Sequence, residues 1–167
     1  MNLGPALVEL IKPPIVVGMG EYRVGAGPGT VVTYALGSCV GLTAYDPLNR
    51  VGGLLHYMLP TATTTPPEKP DEGRYLDHAL PRFLDRLTES GAQKRFLEFK
   101  AFGGADTAKL SLFDVANRNI AALKELSVRL RIFVRVWEVG GRDYRTVSLD
   151  LSNGKVLVRT SLETFYR

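Results

Sequence analysis

The chain has 167 residues and a mass of 18.3 kDa, with 21 Lys and Arg against 17 Asp and Glu, a formal net charge of +4. Apolar residues make up 45% and charged residues 23%, the balance of an ordinary folded domain, which excludes disorder and collagen-like repeats. A single cysteine excludes an intrachain disulfide and a cysteine-rich zinc site, and it points to a reducing compartment, the cytoplasm.

Residues 1–13 read as an N-terminal tail: Glu9, Gly4 and Pro5 break its apolar stretch, and no basic residue precedes it, so it is no secretory signal. The uncharged run 24–45 is long enough to span a bilayer, but its five Gly and one Pro predict strand, turn and strand rather than one helix. Segments 15–19, 31–36, 40–45 and 51–58 are apolar or β-branched between Gly, Ser, Asn and Pro turns, which predicts strands. The Thr- and Pro-rich stretch 61–71 predicts a surface loop inside a single domain spanning 1–167.

Tyr75, Leu76, Ala79, Leu80, Phe83, Leu84 and Leu87 follow helical spacing up to Gly91, a C-terminal cap, with a kink or a break expected at Pro81. A strand over 95–102 leads into Gly103-Gly104, and a second helix follows, capped by Asp114 and carrying Val115, Ile120, Leu123 and Leu126 on one side. In the next strand Ile132, Val134 and Val136 alternate with Arg131, Phe133, Arg135 and Trp137, an outward face that is either helix-covered or a partner patch. Strands 146–151 and 155–159 flank Ser152-Asn153-Gly154, a hairpin signal. Two main helices and about eight strands predict an α+β fold of stacked, mainly antiparallel sheets partly covered by helix.

Cys39 lies in Leu36-Gly37-Ser38-Cys39-Val40-Gly41, where the glycines permit a turn that projects a thiol between two strands. As a nucleophile it needs a base, and His56, 17 residues on, can return beside it on the antiparallel partner strand. Against this stands the common fate of a lone cysteine, burial as a small hydrophobe, with His56 a satisfied core histidine. His78 reads as a surface residue, and a metal site of Cys39, His56 and His78 lacks any short ligand spacing. Gly25-Ala26-Gly27-Pro28-Gly29 precedes a strand and lacks the Lys-Ser/Thr ending, so nucleotide-loop readings fail, and dispersed basic residues give no case for nucleic acid. No cofactor or metal is called for.

Leu36-Gly37-Ser38-Cys39-Val40, Asp46-Pro47, Gly52-Gly53, His56 and Met58-Leu59-Pro60 together resemble the signature of the bacterial chemoreceptor glutamine deamidases, the CheD family. Further blocks follow in the family's order: Val17-Gly18-Met19-Gly20-Glu21-Tyr22, Arg74-Tyr75-Leu76-Asp77, Phe102-Gly103-Gly104-Ala105, Arg118-Asn119-Ile120, Val139-Gly140-Gly141 and Asn153-Gly154-Lys155-Val156. The resemblance covers about residues 15–159. It implies a three-layer α/β/β sandwich and hydrolysis of receptor glutamine side chains to glutamate, in some members also of glutamyl methyl esters. It further implies Cys39 as nucleophile, His56 as general base and Thr33 as the third member. The substrate would be the cytoplasmic helices of methyl-accepting chemoreceptors, with a CheC phosphatase as possible regulatory partner and no membrane insertion. The oxyanion donors nearest by sequence are the backbone amides of the Gly37-Ser38-Cys39 turn. The chain departs from the family's pattern at Asp106-Thr107-Ala108, Ala116-Asn117 and Tyr144. A different reading makes the same surface a docking module for phosphatase or receptor, with little turnover.

Overall fold

The computed structural model describes residues 12–62, 71–107 and 114–167. Most of the expected N-terminal tail and of the Thr/Pro-rich loop therefore lies outside the described residues. Ten strands and two helices run in the order β1 (Ile15–Val16), β2 (Glu21–Ala26), β3 (Thr30–Leu36), β4 (Val40–Asp46), β5 (Val51–Tyr57), α1 (Leu76–Glu89), β6 (Glu98–Gly103), α2 (Val115–Leu130), β7 (Val134–Val139), β8 (Arg145–Asp150), β9 (Val156–Arg159) and β10 (Thr164–Tyr166).

Two five-stranded sheets form, β1-β3-β8-β9-β10 and β2-β5-β4-β6-β7. Only β1–β3 and β6–β7 pair in parallel; the other pairs are antiparallel. Alternation along the strands sorts the side chains into two cores. Val40, Leu42, Ala44, Leu55 and Tyr57 face the helices and pack on Leu80, Phe83, Leu87 and Leu123, whereas Tyr45, Leu54 and Phe102 face the first sheet and meet Val31, Leu36, Val147 and Leu149. The β4-centred sheet is thus the middle of three layers, buried on both faces, and the fold is the α+β sandwich expected.

Helix α1 passes through Pro81 as one element rather than breaking there. One backbone hydrogen bond is lost, and burial of Leu76, Ala79, Leu80, Phe83, Leu84 and Leu87 along one face outweighs it. Gly91 ends this helix as expected: its N–H reaches the Thr88 carbonyl and that of Ala92 reaches Leu87, with Gly91 at φ 103°. Asp114 does precede α2, but its carboxylate takes the Asn117 side-chain amide at 2.7 Å instead of capping the first backbone amides.

The expected alternation from Arg131 onward is corrected twice. Arg131 is the left-handed terminus of α2, φ 54°, and β7 begins only at Val134. Phe99 pairs with Val134 but Lys100 with Val136, so one extra residue bulges out of β7 and the period slips. Trp137 consequently turns to the same core as Val134, under Lys124 of α2, while Phe133 stays 79% exposed. Residue pattern does not predict strands β2 and β10; both are edge strands, β2 of its sheet and β10 of the other.

Candidate active site

Strand β3 brings the first component. Thr33 points into the space between the sheets and is fully buried, then Tyr34 and Ala35 both turn outward and Leu36 returns to the core. This is a bulge: the β3–β8 register shifts between Thr33 and Leu36, with Ala35 held at φ 54°. The irregularity lets Thr33 and Leu36 share a face although three residues apart.

The second component comes from β5, whose register with β4 sets Gly41 opposite His56 and Val40 opposite Tyr57. His56 alternates with Leu55 and Tyr57, which face the helices, so its ring lies on the Leu54 side, between the sheets, and is 3% exposed. Cys39 precedes Gly41 by two residues, which sets it diagonally from His56 on the same face, and it packs half-buried against the inter-sheet core. Strand pairing thus gathers Thr33, His56 and Cys39 into one layer. His78 is elsewhere, half-exposed on α1 with its Nε2 3.7 Å from Asp77, and among the described residues no group of three His, Cys, Asp or Glu side chains could hold a metal ion.

Hydrogen bonding decides the imidazole tautomer. The Thr33 hydroxyl donates to the Val17 carbonyl at 2.8 Å, and the same oxygen lies 2.8 Å from His56 Nδ1. With its only proton committed to Val17, the hydroxyl accepts, so Nδ1 carries the hydrogen. Nε2 is left as a bare lone pair, buried and without a partner among the described residues. Burial also lowers the His56 pKa to about 4 and raises that of Cys39, whose own backbone N–H on the sulfur draws it partly back. The imidazole is expected from sequence to draw the thiol down; burial instead disfavours the charged form of each, which favours a neutral thiol and a neutral imidazole at rest.

Residues 37–39 bend between β3 and β4, and every one of their carbonyls is taken. Gly37 accepts from Ala105 N at 2.8 Å, Ser38 from Asn119 Nδ2 at 3.0 Å, and Cys39 from Gly104 N at 2.8 Å. Gly103 and Gly104, at φ 98° and 59°, turn the end of β6 to deliver two of these donors, in a backbone region closed to most side chains. Gly37 has a different reason to be glycine: a Cβ there would stand 2.9 Å from the Tyr144 ring, which is 58% exposed. Met19 and Tyr34 are 60% and 54% exposed, Met19 beside Gly20, whose N–H meets the His56 carbonyl, and Tyr34 on the strand that leads to Cys39. A surface hollow along β2 and α1, lined among others by Tyr22, Arg23, Glu72 and Arg86, holds none of Thr33, Cys39 and His56.

Asn119 is the participant that sequence reasoning did not place at the site. Its signals are its place in the Arg118-Asn119-Ile120 block of the resemblance, which carries no role by itself, and a polar residue amid the buried stripe of α2, between Ala116 and Leu123. From there its Nδ2 also donates to the Met58 carbonyl at 2.8 Å, and its main-chain carbonyl accepts from the Tyr57 hydroxyl at 2.8 Å.

Comparison with known proteins bears on this geometry. The family model described as CheD chemotactic sensory transduction matches residues 58–160, more than half of the chain. A probable chemoreceptor glutamine deamidase CheD of Pyrococcus abyssi is 42% identical over 148 residues, covering 87% of this chain and 90% of that protein. The protein of the same name from Pyrococcus horikoshii is 40% identical over 88% of this chain and 92% of its own length, and that of Desulforamulus reducens 36% identical over 92% and 95%. Identity of this extent over nearly the whole length, together with the family match, shows that the chain belongs to the CheD family.

Proposed function

We propose that this protein hydrolyses glutamine side-chain amides of chemoreceptor cytoplasmic helices to glutamate through a thioester on Cys39, as part of chemotactic adaptation. The observation that carries the reading is the Val17–Thr33–His56 relay, which leaves Nε2 without a partner among the described residues, on the face where Cys39 packs. His56 accepts the thiol proton on Nε2 as sulfur bonds to the amide carbon, so the uncharged resting pair becomes charged only during attack. Backbone amides of the 37–39 turn receive the oxyanion. When the C–N bond breaks, the imidazolium returns its proton to the nitrogen and ammonia leaves. Water then attacks the thioester carbon, losing its proton to His56; the C–S bond breaks, the sulfur regains a proton, and glutamate departs.

Thr33 serves by keeping the hydrogen on Nδ1, and because its own proton is spent on Val17 it cannot donate to the ring. A receptor helix presents glutamines on an amphipathic surface, and the exposed Met19, Tyr34 and Tyr144 offer apolar contact for it. Among the described residues no helix is long and apolar enough to cross a membrane, and the proposed action is at the cytoplasmic side of the receptors.

The test is mass spectrometry of a receptor fragment incubated with wild type and with Cys39→Ala. The expected result is a 1 Da gain at specific glutamines with wild type and none with the variant. Equal conversion by both removes Cys39 from the reaction. No conversion by either, with binding of receptor or of a CheC phosphatase retained, favours the docking reading.

A further inference from the structure

Asn119 is fully buried, yet among the described residues its Oδ1 has no hydrogen-bond partner. Its orientation is nonetheless fixed, since a flipped amide would set Oδ1 against the Ser38 and Met58 carbonyl oxygens. An apolar side chain would suit this stripe of α2 better if packing were its only task. What the amide provides is a pair of donors at one place in the fold, the open end of the β4–β5 pair. Beyond the Val40–Tyr57 partners, the next residues on the two strands are Cys39 and Met58. Asn119 bridges the peptide just before Cys39 to the carbonyl of Met58.

In a trans peptide the N–H points opposite the carbonyl. The Ser38 carbonyl is drawn toward α2, on the helix side of the middle sheet, so the Cys39 N–H of the same peptide faces the other way, into the layer that holds the thiol and His56. We propose that Asn119 is a positioning residue which, by gripping the Ser38 carbonyl, aims the Cys39 N–H at the oxyanion formed during amide hydrolysis. The inference rests on Cys39 being the nucleophile, as proposed above. Asn119 touches neither substrate nor sulfur; it acts through one peptide plane.

The experiment separates this role from general support of the fold. Alkylation of Cys39 by iodoacetamide needs the thiolate but forms no oxyanion, whereas deamidation needs both. Asn119→Leu keeps the position filled and removes the donors. The expected result is a fall in kcat of about 100-fold, the scale for loss of one oxyanion donor, with KM unchanged and the alkylation rate reduced far less, the Cys39 N–H being only one influence on the thiolate. An unchanged kcat, or alkylation slowed in the same proportion as kcat, overturns the proposal. If Asn119→Leu fails to fold, Asn119→Ser is read by the same pair of rates. Cys39→Ala is run alongside: if it retains turnover, the nucleophile reading and this inference fall together, whereas an inactive Cys39→Ala beside a fully active Asn119→Leu sinks this inference alone.

Discussion

The two ends of the β4–β5 hairpin are built from the same pair of strands and treat polar groups in opposite ways. At the closed end, Asp46 is fully buried and its carboxylate accepts from Leu48 N, Asn49 N, the Asn49 side-chain amide and Gln93 N at 2.7–3.1 Å. At the open end, His56 Nε2 and Asn119 Oδ1 lack partners among the described residues. Burial raises the Asp46 pKa, but those hydrogen bonds outweigh it and the net shift is downward; at His56 burial acts unopposed. A buried polar group with every bond made holds the fold, while one left unmade keeps a lone pair ready for chemistry. The lesson is that satisfaction of polar groups, more than their burial, distinguishes the structural end of this hairpin from the reactive one.

Substitutions at each end should therefore separate rate from stability. The largest expected loss beyond removal of the sulfur itself is from His56→Gln, which keeps a polar side chain but removes the base; kcat should fall by about 10²–10⁴, measured as ammonia release. Thr33→Val strands the imidazole N–H and the Val17 carbonyl and frees the tautomer, so kcat should drop about 10–100-fold, equivalent to about 1.4–2.7 kcal/mol of barrier. At the other end, Asp46→Ala should cost about 2 kcal/mol of stability by denaturant titration, because four partly buried, charge-assisted hydrogen bonds are lost together, while the folded fraction keeps its kcat. A matching loss of kcat per folded molecule would show that the two ends are not separable.

Acid should distinguish the ends by window. His56 has its folded pKa depressed to about 4 from 6.5, so between those values the unfolded chain binds more protons and stability falls as pH drops through that interval. Asp46, depressed from 3.8, contributes stability that is complete above that value and is lost only as pH falls further, through its folded pKa. Stability followed against pH should lose its upper slope in His56→Gln and its lower slope in Asp46→Asn. Activity should persist in acid well below the ordinary histidine range and decline near pH 4. An acid limb near 6.5 would mean that the ring is hydrated.

Much of the fold could be read from periodicity, because the strong signals are local. The stripe from Leu76 to Leu87 and the Gly91 cap, or the apolar runs of β3, β4 and β5, depend only on neighbours in sequence. What misled was a local pattern overridden by pairing. Strict alternation puts Trp137 with Arg135, and a one-residue bulge against β6 reverses it. Pro81 predicts a kink or a break, and the break is absent because the apolar face on either side of it keeps α1 whole. Strand β2 gives a weak signal because Tyr22 and Val24 are its apolar residues that pack on the core, and β10 because three residues carry almost no period.

The candidate site divides in the same way. Cys39, His56 and Thr33 were legible as residue types at suggestive intervals, since a strand, a turn and a return strand are set by composition over a few dozen residues. Whether Thr33 accepts from the ring depended on the parallel β1–β3 pairing that brings Val17 O to its hydroxyl, and whether the thiol and imidazole rest uncharged depended on two sheets closing over them. Asn119 reaches Ser38 across 81 positions of sequence, a separation no local pattern encodes. The sequence by itself determined the parts and their order along the chain; proton positions, charge states and the grip on the Cys39 peptide were decided only when the layers packed, because hydrogen-bond direction and desolvation are properties of surroundings assembled from distant segments.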